Sequence, residues 1–243
     1  MAKSTLDILC FGDSLTSGFC SAGLESHPYS LALAARLQAA LPHVLVNVDT
    51  SGRPGDVASS QGFHDRLRAE CSKRRYDWVI ILGGTNDFAY RVHPEKIFQT
   101  LRESWQHALQ QSKVLALTVP EGLARPASVV EDRARLNSLI LEHREAGFHT
   151  FDLHANLPYH ALSAEECQRY WDDGLHLTPV GYDWMGSLVA DALLQVLDAR
   201  PASKQQQRHD NSRDVSEELK EEERGHPGIL SRGYVVVRKA DLD

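Results

Sequence analysis

Residues 6–18 read Leu6-Asp7-Ile8-Leu9-Cys10-Phe11-Gly12-Asp13-Ser14-Leu15-Thr16-Ser17-Gly18, a short apolar run that ends in glycine, aspartate and serine. Only Asp7 interrupts the run, which has the length of a buried strand, and the residues after it are turn formers. The same rhythm recurs along the chain. Strand-length apolar runs fall at 6–11, 44–48, 78–82, 114–119 and 148–152. Helical periodicity fills the gaps at 29–41, 59–74, 94–111 and 129–146, and a last stretch at 180–197 closes the series. Such alternation predicts βαβ units and an α/β fold: a five-stranded parallel sheet between two helical layers, a three-layer flavodoxin-like sandwich. No internal repeat is present.

Composition fits this reading. The chain has 243 residues, 42% hydrophobic and 24% charged, an ordinary globular balance with enough length to bury a core. No apolar run approaches the roughly 20 residues that span a bilayer, so no integral membrane segment is expected. The 33 acidic and 26 basic side chains leave a net charge of -7, which disfavours nucleic acid and anionic membrane surfaces as partners. Cys10, Cys20, Cys71 and Cys167 form no CxxC pair, so zinc-ribbon and dithiol redox readings have no support. The first residues lack the long apolar region and cleavage site of a signal peptide, and the expected location is cytoplasmic, with reduced thiols.

The composition changes near Pro201. Residues 203–225 contain only Val215 and Leu219 as aliphatics, too little apolar surface to offset ordering entropy. The expected division is therefore a folded α/β domain over 1–200 and a charged tail over 201–243, disordered or a lone solvated helix. Its β-prone Tyr234-Val235-Val236-Val237 can add an edge strand or bind a partner of unknown kind.

In open parallel sheets, ligands bind beyond the carboxyl ends of the strands. The loops there read Gly12-Asp13-Ser14, Gly52-Arg53-Pro54-Gly55-Asp56, Gly84-Thr85-Asn86-Asp87 and Asp172-Asp173-Gly174-Leu175-His176. A phosphate-binding GxxxxGK[ST] loop fails, because Gly18 is followed by Phe19 and Cys20, and no GxGxxG fingerprint occurs. Nucleophilic catalysis at Ser14 fits better, since a serine hydroxyl needs only a histidine within reach to activate it. The plainer role for Ser14 is a helix N-cap. Among twelve histidines, His176 stands out because Asp173 precedes it by three residues and can fix its tautomer. Donors for a developing oxyanion are available from the Ser14 N–H, the Gly55 N–H and the Asn86 amide, although all three loops are also good turn sequences.

Together these blocks, Gly12-Asp13-Ser14-Leu15, Gly55, Gly84-Thr85-Asn86-Asp87 and Asp173-Gly174-Leu175-His176, resemble those of the SGNH/GDSL hydrolase superfamily, in that family's order. The resemblance implies a three-layer α/β esterase or lipase that needs neither metal nor organic cofactor and acts on a small-molecule acyl ester. It implies Ser14 as nucleophile, His176 as base and Asp173 as third member of the triad, with Ser14 N–H, Gly55 N–H and Asn86 as the oxyanion hole. Gly52 competes with Gly55, and Asp172 with Asp173. Asp13 and Asp87 read as scaffolding hydrogen-bonders. Thioesterase or acyltransferase chemistry on the same triad, or a non-catalytic binding module of the same fold, are the rivals. Phe88, Tyr90, Tyr159, Tyr170 and Trp171 lie in the loops around the site, either lining a small acyl cleft or packing the core and rim. Few long aliphatic residues accompany them, which favours short acyl chains.

Overall fold

The computed structural model describes residues 4–124 and 126–198. The tail expected from residue 201 lies outside the described residues. The chain runs from β1 (Ser4–Gly12) into a single helical turn, α1 (Ser14–Ser17), and a small hairpin of β2 (Phe19–Cys20) and β3 (Glu25–Ser26). It continues through α2 (Ser30–Ala40), β4 (Val44–Gly52), α3 (Gln61–Lys73), β5 (Trp78–Ile81), α4 (Pro94–Leu109) and β6 (Lys113–Leu117). Then follow α5 (Ala127–Glu142), β7 (Phe148–Phe151), α6 (Leu153–Asn156), α7 (Ala164–Tyr170) and α8 (Pro179–Asp198).

Five strands form one all-parallel sheet in the order β4-β1-β5-β6-β7, the expected flavodoxin-like arrangement. The alternation of β1 explains why its run reads as nearly continuous apolar sequence. Ile8 and Cys10 face one core with Leu33 and Leu37 of α2 and Tyr182, Met185 and Val189 of α8. Leu9 and Phe11 face the opposite core with Phe63 and Leu67 of α3, Leu101 and Trp105 of α4, and Leu136 of α5. A central strand covered by helices on both sides must be apolar on both sides. Each such side chain, fully buried, contributes about 1.5–3 kcal/mol.

Two departures from the expected boundaries bear on the site. The second parallel strand extends to Gly52 although Asp49, Thr50 and Ser51 are polar. Its backbone pairs with β1 throughout, up to Gly12 opposite Gly52, and as an edge strand it tolerates partly exposed polar residues. The β2–β3 hairpin and α7 lie in segments where no element was expected. From β1 the chain crosses to β4 on one side and later to β5 on the other. That reversal makes the carboxyl ends of β1 and β5 the switch point of the sheet, the usual place for a ligand site, and Ser14 and Asn86 lie in the loops that follow these strands.

Candidate active site

Strand β1 stops at Gly12, and Asp13, not Ser14, caps the turn that follows. The Leu15 N–H donates to Asp13 Oδ1 at 3.0 Å. Ser14 is thereby spared the capping role, and its Oγ lies 2.9 Å from His176 Nε2. Asp13 itself is fully buried, and its Oδ2 has no hydrogen-bond partner in the protein. Burial pushes its carboxyl up to about 7, with nearby Asp87 and Asp56 adding to the effect against the Leu15 N–H. An unfolded aspartate titrates near about 3.9, so between there and about 7 the folded chain holds a proton that the unfolded chain has released. Stability from this group is full below about pH 4 and is lost as pH climbs through about 7. Asp13→Asn keeps an oxygen for the Leu15 N–H and cannot ionise. Its melting temperature is expected to fall less than wild type's between about pH 5 and about pH 8; parallel falls in thermal melts would count against the assignment.

His176 arrives in the loop between α7 and α8. The loop is closed by a bridge between Trp171 and Leu177 and by the Asp172 N–H donating to His176 O at 2.8 Å. Within it Asp173 accepts three times. Its Oδ1 takes the backbone N–H of Leu175 at 2.9 Å and of His176 at 2.7 Å, while Oδ2 lies 2.7 Å from His176 Nδ1. Burial opposes the charge on Asp173, but the His176 ring and those backbone donors outweigh it and hold the carboxyl below the usual carboxylate range. An ionised Asp173 accepts only, so Nδ1 carries the proton and Nε2 is left to accept from the Ser14 hydroxyl. Asp172 is engaged elsewhere, with the Ser21 N–H donating to its Oδ2 at 2.7 Å. The Phe19 ring, at the start of the hairpin, lies 4.6 Å from the His176 ring.

The remaining sequence candidates sit in the loops after β4 and β5. Gly52 and Gly55 are glycines for different reasons. A Cβ at Gly52 would collide with the Ser17 backbone, so Gly52 lets α1 lie against β4. Gly55 has φ +76° with open space where a Cβ would be. The Asn86 amide donates one N–H to Asp56 O at 2.9 Å, which ties its loop to the residue after Gly55. Asp87 is fully buried and accepts the Ala58 and Ser59 N–H groups, each at 2.8 Å. Asp13 and Asp87 are thus both bound to loop backbone.

The loop aromatics are mostly committed to packing. Phe88 and Trp171 are buried, Tyr159 packs on Trp171 at 5.1 Å and Tyr170 on Trp184 at 4.7 Å, whereas Tyr90 is exposed. Sequence reasoning passed over Arg66, whose guanidinium reaches from α3 into the base of these loops, and Phe19. Neither carries a local signal, because their partners are distant in the chain.

With the geometry in place, the strand order and the site beyond β1 and β5 mark the fold of a GDSL/SGNH hydrolase. The chain belongs to the GDSL-like lipase/acylhydrolase family, whose sequence model matches residues 10–184. Among solved structures it is similar to a member of the lipolytic protein G-D-S-L family from Veillonella parvula DSM 2008, at 20% identity and TM-score 0.61, covering 80% of this chain and 100% of that one. It is also similar to the lipase/acylhydrolase from Enterococcus faecalis, at 21% identity and TM-score 0.57 over 79% of this chain and 96% of that one. A carbohydrate acetylesterase family member from Sinorhizobium meliloti matches at 18% identity and TM-score 0.59, over 80% of this chain and 99% of that one. At these identities the likeness speaks to the fold. No curated protein matches the chain. Among the described residues no helix is long and apolar enough to cross a membrane.

Proposed function

We propose that the protein is a serine hydrolase of carboxylic esters, with Ser14 as nucleophile, His176 as general base and Asp173 as the carboxylate that orients it. The observation that carries this reading is His176 hydrogen-bonded on one nitrogen to Ser14 and on the other to Asp173. In the proposed reaction Ser14 Oγ bonds to the acyl carbon as its proton passes to Nε2. Asp173 balances the imidazolium that results. The negative oxygen is met by the Ser14 N–H, the Gly55 N–H and the second N–H of Asn86, whose first N–H is held by Asp56 O. Collapse breaks the ester C–O bond, the alcohol leaves with the proton from His176, and water activated by His176 releases the acid and restores Ser14.

Preference for short acyl chains is supported by the packing of Phe88, Trp171, Tyr159 and Tyr170, which withdraws these aromatics from lining a long tunnel, while Tyr90, Leu123 and Leu175 stay exposed. A p-nitrophenyl ester series from acetate to palmitate tests both parts. The expected profile peaks at acetate to butyrate and falls at least about tenfold for long chains. A maximum at palmitate overturns the short-chain reading. Inertness across the series, together with no labelling by a fluorophosphonate, overturns the hydrolase reading.

A further inference from the structure

Beneath the loops that would form the oxyanion hole lies one cation with all its donors committed. Arg66, on α3, is largely buried, with 17% of its side chain exposed. Its Nη2 donates to Gly12 O at 2.6 Å and to Asp56 Oδ2 at 2.8 Å. Its Nε donates to the same Asp56 oxygen at 3.0 Å, and its Nη1 to Ser51 O and Ser51 Oγ, both at 2.8 Å. A guanidinium has five N–H groups in a rigid fork, and five hydrogen bonds to four acceptor atoms engage it here. The flat group also lies 3.9 Å above the centre of the Phe11 ring, so its height as well as its direction is fixed.

The acceptors are not arbitrary parts of the fold. Gly12 ends β1 two residues before Ser14, Ser51 lies one residue before the end of β4, and Asp56 follows Gly55. The Asp56 carbonyl in turn holds the Asn86 amide. Each of the three segments proposed to donate to the oxyanion is therefore reached by Arg66 directly or through Asp56. We propose that Arg66 is a positioning residue of the hydrolytic site, holding the Gly55 loop and the Asn86 amide in register with Ser14 without touching substrate. This rests on the function proposed above, since it assigns Arg66 a part in orienting that oxyanion hole.

Loss of the clamp predicts a particular kinetic signature. Oxyanion donors act on the transition state and hardly on bound substrate, so their displacement lowers kcat and leaves KM nearly alone. A misplacement of about 1 Å costs about 10²-fold. For Arg66→Ala in the full chain, kcat on p-nitrophenyl acetate is expected to fall about 10- to 100-fold, with KM within about threefold of wild type. Arg66→Lys is expected to be nearly as slow, because a single ammonium cannot span Gly12, Ser51 and Asp56 together. Millimolar methylguanidinium is expected to restore part of the kcat of Arg66→Ala. A residue that served only stability would lower the melting temperature with no change of kcat at low temperature, and would show no such rescue.

Folded Arg66→Ala or Arg66→Lys with wild-type kcat overturns the proposal, as does a loss confined to KM. If both variants fail to fold, Asp56→Asn makes the same test, because Arg66 then keeps Gly12 and Ser51 and loses only its charged pull on the loop. A kcat decrease of about tenfold with unchanged KM is expected there, and wild-type kcat overturns the clamp. Wild-type protein that neither hydrolyses esters nor reacts with a fluorophosphonate counts against the hydrolytic function itself. Active wild type beside equally active variants counts against Arg66 alone.

Discussion

Ser14→Ala is expected to lower ester turnover by about 10⁴-fold or more while leaving the protein folded. The two halves of that expectation come from different observations. Oγ is the atom facing His176 Nε2 at 2.9 Å, and among the described residues no other hydroxyl is bonded to that nitrogen. Removing it leaves the base with nothing to deprotonate except water. The fold is insensitive to the change because the turn after β1 is capped by Asp13 through the Leu15 N–H. An alanine methyl also fits the nearly buried site at residue 14 without new volume. Turnover on p-nitrophenyl acetate and thermal melting, measured side by side, check both. Residual kcat above about a tenth of wild type would remove Ser14 from the mechanism, and a collapsed melting transition would mean that its role is structural.

Asp173→Asn is expected to cost about 10⁴-fold in kcat with little change in KM, and Asp172→Asn far less. Asparagine can keep its oxygen on the Leu175 and His176 backbone donors, so the loop survives. It then presents an NH₂ group to Nδ1, which must accept instead of donate. The ring proton moves to Nε2, the nitrogen that has to receive the serine proton, and the base is disabled with its geometry intact. Because the hydrogen bonds hold Asp173 below the usual carboxylate range, the wild type keeps it ionised over the whole neutral range. Its contribution is lost only as pH falls through that lowered value. The pair of variants also separates the two neighbouring aspartates. Were Asp172→Asn the more damaging, the orienting role would pass to Asp172 despite its bond to the Ser21 N–H.

What the sequence revealed depended on how local the physics was. The central strand β1 is legible because burial on both faces demands apolar residues without a break. The far half of β4 is not, because an edge strand takes its length from pairing with β1 and lets Asp49, Thr50 and Ser51 through. Helix α7 had a readable start in its Ser163–Glu166 capping box, but its residues are too polar for a hydrophobic stripe to reveal it. The hairpin after α1 had none, since Ser21 and Ala22 take positive φ with ordinary side chains.

The site divides the same way. Ser14, Gly55, Asn86 and His176 stand out in the sequence as candidates because each lies at a strand end or loop in a short pattern. That the capping role falls to Asp13 and not Ser14 needed coordinates, as did the separate tasks of Gly52 and Gly55. Arg66 is one of 26 basic residues, and its meaning lies in carbonyls contributed by two different strands. No spacing along the chain announces that.

The bond from Ser14 to His176 joins residues 162 positions apart. It is one of several stitches between the first and last parts of the described fold. Tyr182 OH donates to Phe19 O across 163 positions, Arg36 pairs with Asp191 across 155, and the Ser21 N–H meets Asp172 across 151. On the proposed mechanism the protein therefore carries a built-in interlock. A nascent chain still lacking residue 176 has a serine but no base, and so cannot cleave an ester while it is being made. On that mechanism an ester-hydrolysis assay reads whether residues 14 and 176 have come together.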